Sequence, residues 1–453
     1  MARAKKEAAL TPEERLQAAL VPDWEWPHKL PENWCWTTVG AINQYVGISA
    51  DPTKAKNETF ELYSVPSSAD NYPEIVLGAD IGSTKQAVKK GDVLLCKINP
   101  RINRVWKVSK YTDHSLLASS EWIVIRNSGL ISNYLMWCFR SPYFRGYMLS
   151  NVSGVGGSLM RAQPKFVQGY PVPVPPLAEQ QRIVDRIESL FAKLDEAKEK
   201  AQAVVDSFET RKAAILHKAF TGELTAKWRE EHGVGMDSWE HHQFSDLCAI
   251  VRGGSPRPAG DPRYYDGNIP FMKVADITRN DSPYVSKVEY SIKEEGLKKT
   301  RMVEANTLLL TNSGATLGVP AITTIRTTFN DGIAAFIGLD IDSLLFYYYF
   351  WTSKTAFLRS INMGAAQPNL NTKLIGEVEI DVPQTAERVE IARVLNALLS
   401  KEQQAKEAAE AVLDQIDLMK KSILARAFRG ELGTNDPSEE SAVELLKKII
   451  RRG

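Results

Sequence analysis

A run of five basic residues without an acidic one lies between Lys97 and Lys110, in the sequence KINPRINRVWKVSK. Arginine can donate paired hydrogen bonds to guanine or phosphate, and asparagine amides can pair with adenine edges. Pro100 restricts the backbone between them and favours a fixed presentation of these donors. The run therefore predicts a DNA-binding loop with contacts at Lys97, Asn99, Arg101, Asn103, Arg104 and Lys107. Charge alone is equally consistent with a solvated hairpin.

A second set of candidate DNA contacts carries less charge. The stretch LLLTNSGATLGVPAI from Leu308 offers small hydrogen-bonding side chains next to glycines that permit a tight loop. The segments SLMRAQPKF and GAAQPNLN share a Gln-Pro pair with polar neighbours, and RGGSPRP is a flexible basic loop or a simple surface turn. The predicted contacts in these segments are Thr311, Asn312 and Ser313, then Arg161, Lys165 and Asn369, and finally Arg252 and Arg257.

Sequence motifs for catalysis are absent. The chain has no G-x-x-x-x-G-K-[ST] phosphate loop, no H-E-x-x-H metal helix and no G-x-S-x-G elbow. The tetrapeptide INPR from Ile98 lacks the second proline and the aromatic ring of the amino-methyltransferase motif. Six histidines show no ligand spacing, and four cysteines lie far apart without a C-x-x-C pair. We therefore expect a chain that binds no metal or cofactor and is not an enzyme.

Composition indicates an ordinary globular protein of two to four domains, with 453 residues, 43% hydrophobic and 25% charged. No apolar run reaches the roughly 18 residues of a membrane helix, and the first residues lack a secretory signal, so we expect a cytoplasmic protein. The net charge of +1 does not exclude DNA binding, because affinity for phosphates depends on local fields.

An internal repeat indicates which elements of the fold hold the candidate DNA contacts in place. KAAILHKAFTGEL from Lys212 recurs as KKSILARAFRGEL from Lys420, and the same offset of 208 residues relates Glu179 to Glu387. Two copies of a long unit therefore make up the chain, which predicts two similar halves related by an approximate twofold axis.

Each copy ends in a predicted long helix with apolar or small residues in alternating steps of four and three, which is a heptad seam. The first helix is predicted from Ala178 to Phe220, and Arg211 is the one charged residue in its seam. The second seam is interrupted only by Glu402. Its predicted members are Ile391, Leu395, Leu398, Ala405, Ala409, Val412, Ile416, Met419 and Ile423. The two seams favour an intramolecular antiparallel coiled coil, while separate packing on each domain or homodimerisation is the alternative.

Short apolar runs separated by Gly, Pro, Asn and Asp precede each helix and predict strands and turns. The predicted fold is α+β, with two mixed α/β domains separated by the two helices in a pseudo-twofold arrangement. Residues 1–30 form an N-terminal helical segment, 31–176 domain 1, 177–225 the central helix and 226–238 a linker. Residues 239–382 form domain 2, 383–433 the distal helix and 434–453 a tail with a short helix.

The chain resembles the specificity subunit of type I restriction-modification enzymes. LPENWCWTTVGAI from Leu30 resembles the start of the first target-recognition domain, and PVPVPPLAEQQRIVDRIESLF from Pro171 resembles the start of the central helix. SILARAFRGEL resembles the end of the second helix. The second junction, VPQTAERVEIARVL from Val382, departs from this pattern because it lacks the double proline and the Gln-Gln pair.

The resemblance implies a subunit without catalytic activity, in which each domain recognises one half of an interrupted, asymmetric sequence in double-stranded DNA. It implies helices that set the gap and dock two methyltransferase subunits, with up to two restriction subunits beyond them. S-adenosylmethionine, ATP and Mg are then expected on those partner subunits. The alternatives are a stand-alone DNA-binding or architectural protein and, less in keeping with the basic run, a coiled-coil scaffold that binds no nucleic acid.

Overall fold

The computed structural model describes residues 11–153, 160–314, 316–360 and 370–452. The chain divides into two compact units, residues 1–200 with 411–453 and residues 201–410. Each unit therefore contains one of the two predicted domains. Each unit also contains a part of both long helices. No helix among the described residues combines the length and the apolar composition needed to cross a membrane.

Unit 1 is a mixed α/β domain with adjoining helices. Its helices are α1 (Pro12–Ala19), α2 (Val39–Ile42), α3 (Ser132–Arg140), α4 (Pro142–Ser150), α5 (Pro164–Val167) and α6 (Leu177–Asp206), whose last turns belong to unit 2. Its strands are β1 (Cys35–Thr38), β2 (Ser49–Ala50), β3 (Thr59–Tyr63), β4 (Glu74–Leu77), β5 (Lys85–Ala87), β6 (Val93–Cys96), β7 (Val105–Lys107), β8 (Ser115–Ala118), β9 (Trp122–Ile125), β10 (Val152–Ser153), β11 (Arg161–Ala162) and β12 (Pro171–Val174). They form sheets in the orders β2-β5-β8-β3-β4 and β7-β6-β9 and the pairs β1-β12 and β10-β11.

Unit 2 repeats this plan. Its helices are α7 (Phe208–Phe220), α8 (Ala226–His232), α9 (Phe244–Leu247), α10 (Val274–Thr278), α11 (Glu294–Leu297), α12 (Leu344–Ser360) and α13 (Thr372–Gly376). Its strands are β13 (Glu240–Gln243), β14 (Ala249–Arg252), β15 (Tyr265–Met272), β16 (Tyr284–Val285), β17 (Tyr290–Ile292), β18 (Arg301–Val303), β19 (Thr307–Thr311), β20 (Pro320–Thr323), β21 (Thr327–Phe329), β22 (Ile333–Ile337) and β23 (Glu379–Val382). The sheets have the orders β14-β22-β19-β20-β16 and β17-β15-β21-β18, with the pair β13-β23.

Two further helices complete the chain, α14 (Thr385–Ala427), which begins in unit 2 and ends in unit 1, and α15 (Ala442–Arg452) in unit 1. A capping box begins α1, because Thr11 Oγ1 accepts from the Glu14 backbone N–H and Glu14 Oε2 accepts from the Thr11 backbone N–H. The short helix predicted within residues 434–453 is α15.

The repeated motif packs the end of one long helix against the start of the other in both units. In unit 1 the buried Leu424 and Phe428 belong to the same core as Ile183 and Ile187. In unit 2 the residues at the matching positions, Leu216 with Phe220 and Ile391 with Leu395, belong to one core. The two helices run antiparallel within each unit, which confirms an intramolecular helix pair.

One prediction about the first helix was wrong. The helix expected from Ala178 to Phe220 is interrupted at Ser207, between α6 and α7. The Arg211 Nη2 donates to the Val204 carbonyl over 3.2 Å, and Ser207 Oγ donates to the Ala203 carbonyl. These side chains compete for carbonyls of the preceding turn, which bends or interrupts a helix.

The predicted seam of α14 was also partly wrong. Ala405, Val412 and Met419 are exposed, whereas Ala409 and Ile416 are buried as expected. After Glu402 the half-buried or buried positions are Lys406, Ala409, Leu413, Ile416, Lys420 and Ile423. The step after Glu402 is four residues where three were predicted. Lys406, Leu413 and Lys420 therefore replace Ala405, Val412 and Met419 in the seam, while Ala409, Ile416 and Ile423 keep their predicted positions. Two lysines occupy this seam with their ammonium groups over aromatic rings, Lys406 Nζ at 4.9 Å from the centre of the Phe208 ring and Lys420 Nζ at 5.1 Å from that of Phe191.

A buried glutamate lies in the first turn of each long helix, α6 and α14, and binds residues from other segments. Glu179 of α6 accepts from Trp34 Nε1 over 2.7 Å and from Asn435 Nδ2 over 2.9 Å. Glu387 of α14 accepts from Trp239 Nε1 over 3.0 Å and pairs with Arg229 over 2.5 Å. Each glutamate therefore connects three segments: the start of a domain, the start of a helix and the segment after the repeated Gly-Glu-Leu motif.

Candidate nucleic-acid interface

The basic run of domain 1 forms a hairpin whose turn is rigid. Strands β6 and β7 are joined by a short 3-10 helix over Pro100–Ile102. The residues that flank it, Asn99 and Asn103, have left-handed φ angles of 48° and 53°. Asparagine tolerates this conformation better than other residues with side chains, and proline suits the first position of the turn. The left-handed backbone of the turn therefore explains why asparagine occupies both positions, before any contact with DNA is considered.

The side chains of the run do not share one environment. Arg101 is exposed, and Lys97, Arg104 and Lys107 are half-buried. Lys107 Nζ donates to Asn133 Oδ1 of α3 over 2.6 Å. Lys107 is therefore held toward α3 at the far end of β7, away from the turn that carries Arg101.

The amides of the two turn asparagines serve the fold of the hairpin. Asn103 Nδ2 donates to the Arg140 carbonyl over 3.1 Å, so this amide is engaged inside the domain. The Asn99 backbone N–H donates to the Met160 carbonyl over 2.8 Å, and Asn99 Oδ1 is buried without a partner among the described residues. Asn99 and Asn103 thus have structural tasks in addition to their predicted role as base contacts.

Strand β11 brings Arg161 next to this hairpin. Ile98 forms an isolated antiparallel bridge with Arg161, and the Ala162 N–H donates to the Lys97 carbonyl over 2.8 Å. The Arg161 guanidinium pairs with Glu121 over 3.4 Å. Lys165 at the start of α5 is exposed and lies 4.7 Å from the centre of the Phe166 ring. Two segments of the sequence prediction therefore form one surface in domain 1.

Two arginines of this surface were missed by sequence reasoning. Arg145 of α4 donates from Nη2 to the Arg101 carbonyl and so supports the turn. Arg140 donates from Nη2 to the Val105 carbonyl over 2.8 Å, and burial lowers the pKa of this guanidinium. Both belong to helices rich in aromatic residues, where a lone arginine gives no indication that its helix packs against a hairpin far away in sequence.

The corresponding position in domain 2 is the end of β19. The Asn312 N–H donates to the Gly332 carbonyl, and the Asn312 carbonyl accepts from the Leu370 N–H. In domain 1 the Lys97 N–H donates to the Glu121 carbonyl, and the Lys97 carbonyl accepts from the Ala162 N–H. Lys97 and Asn312 are therefore structurally equivalent. Asn312 is fully buried, and neither atom of its amide has a partner among the described residues.

Its neighbours in the predicted set differ in accessibility. Thr311 is buried, and its hydroxyl donates to the Thr316 carbonyl over 2.6 Å and accepts from the Val319 N–H over 2.8 Å. This hydroxyl is committed to the loop itself, so we leave Thr311 out of the candidate interface. Ser313 is half-buried next to Gly332 and remains in it.

Arg252 and Arg257 converge on a turn that the sequence did not single out, Asn330-Asp331-Gly332. Arg252 Nε donates to the Asp331 carbonyl over 2.7 Å, and Arg257 Nη2 lies 3.5 Å from its carboxylate. The same turn adjoins Asn312, because β22 lies between β14 and β19 in the sheet. The structure therefore brings together two predicted loops of domain 2, as it does in domain 1.

The loop from Arg252 is not the flexible turn that its sequence suggested. A side chain at Gly253 would place its Cβ 2.2 Å from the Asn330 carbonyl oxygen, and one at Gly254 would lie 2.3 Å from the Lys299 carbonyl oxygen. The glycines are needed for close backbone packing, and Ser255 Oγ donates to Asp331 Oδ1 over 2.6 Å. The loop is a packed element with its arginines on the outside.

The helices α5 and α13, which lie close to the two Gln-Pro pairs in sequence, have different N-cap residues. Gln163 is the N-cap of α5, and the residue that caps the equivalent α13 is Asn371, whose side chain accepts from the Leu374 N–H. Gln367, Pro368 and the predicted contact Asn369 lie outside the described residues. The same capping position is therefore filled by different polar residues in the two domains.

Within the described ranges, no three His, Cys, Asp or Glu side chains form a group that could hold a metal ion. The candidate surfaces instead combine arginines, lysines and amides at the ends of central strands. Such groups bind phosphates and base edges.

The chain is similar in sequence and fold to known proteins. The family model described as type I restriction modification DNA specificity domain matches residues 43–205 and 236–411. The chain is 25% identical over 337 residues to the StySPI specificity subunit of Salmonella potsdam, which covers 70% of this chain and 71% of that protein. It is 24% identical over 352 residues to the EcoKI specificity subunit of Escherichia coli K12, covering 72% and 73%. The HsdS subunit structure from Thermoanaerobacter tengcongensis has the same fold, with a TM-score of 0.67 and 21% identity over 90% of this chain and all of that chain.

Proposed function

Because the chain belongs to the type I restriction-modification DNA specificity family, we propose that it recognises a bipartite site in double-stranded DNA and docks methyltransferase subunits at that site. The observation that carries the proposal is the double match of the family model, once on each mixed α/β domain and its helix. DNA recognition is the role of the type I specificity subunit, and the arrangement of two domains in one chain supports two half-sites.

The differences between the domains support two different half-sequences. Lys97 of domain 1 and Asn312 of domain 2 occupy equivalent backbone positions but have different chemistry. Lys97 is charged and half-buried, whereas Asn312 is neutral and fully buried, so the two domains cannot present the same donors at this position. The long helices are the shared element, and their similarity contrasts with the divergence of the two candidate surfaces.

Exposed apolar side chains on α14 support docking of partner helices. Within unit 1, Val412, Leu418 and Met419 are 41%, 63% and 47% exposed. Apolar side chains of this size on a helix otherwise rich in charge favour a protein partner. We propose two methyltransferase subunits as these partners, with up to two restriction subunits bound through them.

The proposal assigns all chemical steps to the partners. S-adenosylmethionine would be bound by the methyltransferase subunits, and ATP with Mg by the restriction subunits. This chain would contribute recognition of the sequence and alignment of its partners, in the cytoplasm where the DNA is.

The test is co-expression of the chain with its methyltransferase subunit, followed by purification and by single-molecule methylation sequencing of the host. We expect a complex with two methyltransferase copies and methylation at one interrupted motif that disappears when this chain is omitted. A monomer that binds DNA tightly without any methyltransferase would instead favour a stand-alone DNA-binding protein. Unchanged methylation without this chain would refute the proposal.

A further inference from the structure

Each domain contains an acidic residue that pairs with a predicted DNA-binding arginine. Glu121 directly precedes β9 and lies 3.4 Å from Arg161. Asp331 lies two residues before β22 and 3.5 Å from Arg257. The strands β9 and β22 pair with the central strands β6 and β19, which are directly followed by the equivalent residues Lys97 and Asn312. Each domain therefore has an acid–arginine pair next to the start of β9 or β22, although Gly332 and not Asp331 is the residue equivalent to Glu121 and the two arginines belong to different segments.

Asp331 restrains a whole loop in domain 2. Its carboxylate accepts from Ser255 Oγ over 2.6 Å and faces Arg257, while its carbonyl accepts from Arg252 Nε over 2.7 Å. The Arg257 side chain is 71% exposed and that of Asp331 is 43% exposed. Both predicted cations of this loop are thus oriented by one residue that itself faces solvent.

Glu121 has a different set of partners in domain 1. Its Oε1 faces Arg161, whereas its Oε2 is buried and has no hydrogen-bond partner among the described residues. Its backbone carbonyl accepts from the Lys97 N–H over 3.0 Å, which places the residue against the basic hairpin. Among the described residues Glu121 Oε2 gains no hydrogen bond from the fold, which favours a role for this acid beyond stabilising the domain.

We propose that Glu121 and Asp331 are positioning residues that determine specificity, and this rests on the proposed function. Contacts to phosphates provide most of the affinity for non-specific DNA. A carboxylate among the arginines repels phosphates and holds the guanidinium groups in one orientation. The affinity for non-specific DNA, which is bound through its phosphate backbone alone, is therefore lowered. A half-site whose base edges match the oriented arginine donors is still bound. Specificity commonly depends on such a repulsive element.

The experiment uses the complex with its methyltransferase and the isosteric variants Asp331→Asn and Glu121→Gln. Duplexes carry the cognate site found by methylation sequencing, the site with either half replaced, or an unrelated sequence. We expect non-specific affinity to rise roughly fivefold, the effect of removing one unfavourable surface charge. The slope of log affinity against log salt should steepen by about 0.9 if the released arginine binds one more phosphate.

The two variants should also affect opposite halves of the site. Asp331→Asn should reduce discrimination at one half only, and Glu121→Gln at the other half only. Adding Arg257→Gln to Asp331→Asn should return non-specific affinity toward the original value. Glu304→Gln is the matched control, because Glu304 pairs with Arg326 over 3.0 Å near the opposite end of β19.

The outcomes separate this inference from the proposed function. If the unmodified complex prefers its site but both variants change non-specific affinity no more than Glu304→Gln does, the positioning role is refuted and the proposed function is not. A lowered melting temperature together with an equal loss of affinity for every duplex would identify a purely structural role and would also refute the positioning role. If the unmodified complex prefers no bipartite duplex, the proposed function itself is refuted.

Discussion

Arg211 and Glu402, the single charged residues of the two predicted helix seams, bond to each other. Arg211 Nε donates to Glu402 Oε2 over 2.7 Å, and the two side chains are 34% and 25% exposed. What looked like two separate defects in apolar patterns is one ion pair within unit 2. A pair of this kind fixes the register of two helices, because sliding either helix by one turn would leave a half-buried charge alone.

Replacing one partner of this pair should destabilise the protein more than replacing both. Arg211→Leu or Glu402→Leu alone leaves a half-buried charge, and we expect each to lower the free energy of unfolding by roughly 1–3 kcal/mol. The double variant restores an apolar seam and should be close to neutral. Urea denaturation of the four proteins measures the coupling. A double variant as unstable as the sum of both single variants would show that the two residues do not interact.

The existence of the helices could be predicted from the sequence, but the details of their contact could not. The repeated Gly-Glu-Leu motif and the apolar spacing gave both helices and their antiparallel pairing. Spacing alone did not show that the seam of α14 shifts after Glu402, since lysines such as Lys406 can replace apolar residues. The break at Ser207 depends on side-chain bonds to carbonyls, which a helical pattern does not reveal.

Glu387 should contribute more to stability than its counterpart Glu179. Glu387→Ala leaves Arg229 buried without its carboxylate, with the Arg229 side chain only 8% exposed, and should cost about 3–5 kcal/mol. Glu179→Ala leaves neutral donors such as Trp34 Nε1 unpaired and should cost about 1–3 kcal/mol. Thermal and urea unfolding of both variants provide the comparison. Equal losses would indicate that the Arg229 charge is compensated in another way.

The candidate interface shows the same limit of sequence reasoning. The basic run and its location on a hairpin could be predicted from local charge and from Pro100. The role of Asn103 in holding the turn, the burial of Thr311 and the convergence of two loops on Asp331 depend on residues far apart in sequence. Amide and hydroxyl groups look alike in a sequence whether they face a ligand or complete a turn.

Arg101 should contribute to DNA affinity more than Lys107, although both belong to the same basic run. Arg101 is exposed on the turn, whereas Lys107 is held by Asn133. Arg101→Ala should weaken binding of the complex to its site and reduce the salt slope by about 0.9, the loss of one phosphate contact. Lys107→Ala is the control and should leave the slope unchanged. Equal slopes for both variants would place the DNA away from the turn, and unchanged binding by Arg101→Ala and Arg104→Ala would favour a scaffold without nucleic acid.

Shortening both helices by one heptad should change the gap between the recognised half-sequences and nothing else. Two contacts within unit 2 set the register: Arg211 pairs with Glu402, and the Lys406 ammonium lies over the Phe208 ring. Deleting residues 204–210 together with 404–410 removes seven residues from each helix and keeps the Arg211–Glu402 pair. At 1.5 Å per residue the pair loses about 10 Å, which corresponds to about three base pairs of DNA.

Methylation sequencing of a host that carries the shortened chain measures both properties at once. We expect the same two half-sequences separated by a gap about three base pairs shorter, because the candidate interfaces lie in the domains and not in the helices. Deleting residues 204–210 alone is the matched control, since it leaves Glu402 without Arg211 in register and should reduce methylation at every gap length. Altered half-sequences in the double deletion, or an unchanged gap, would show that the helices do not determine the spacing of the site.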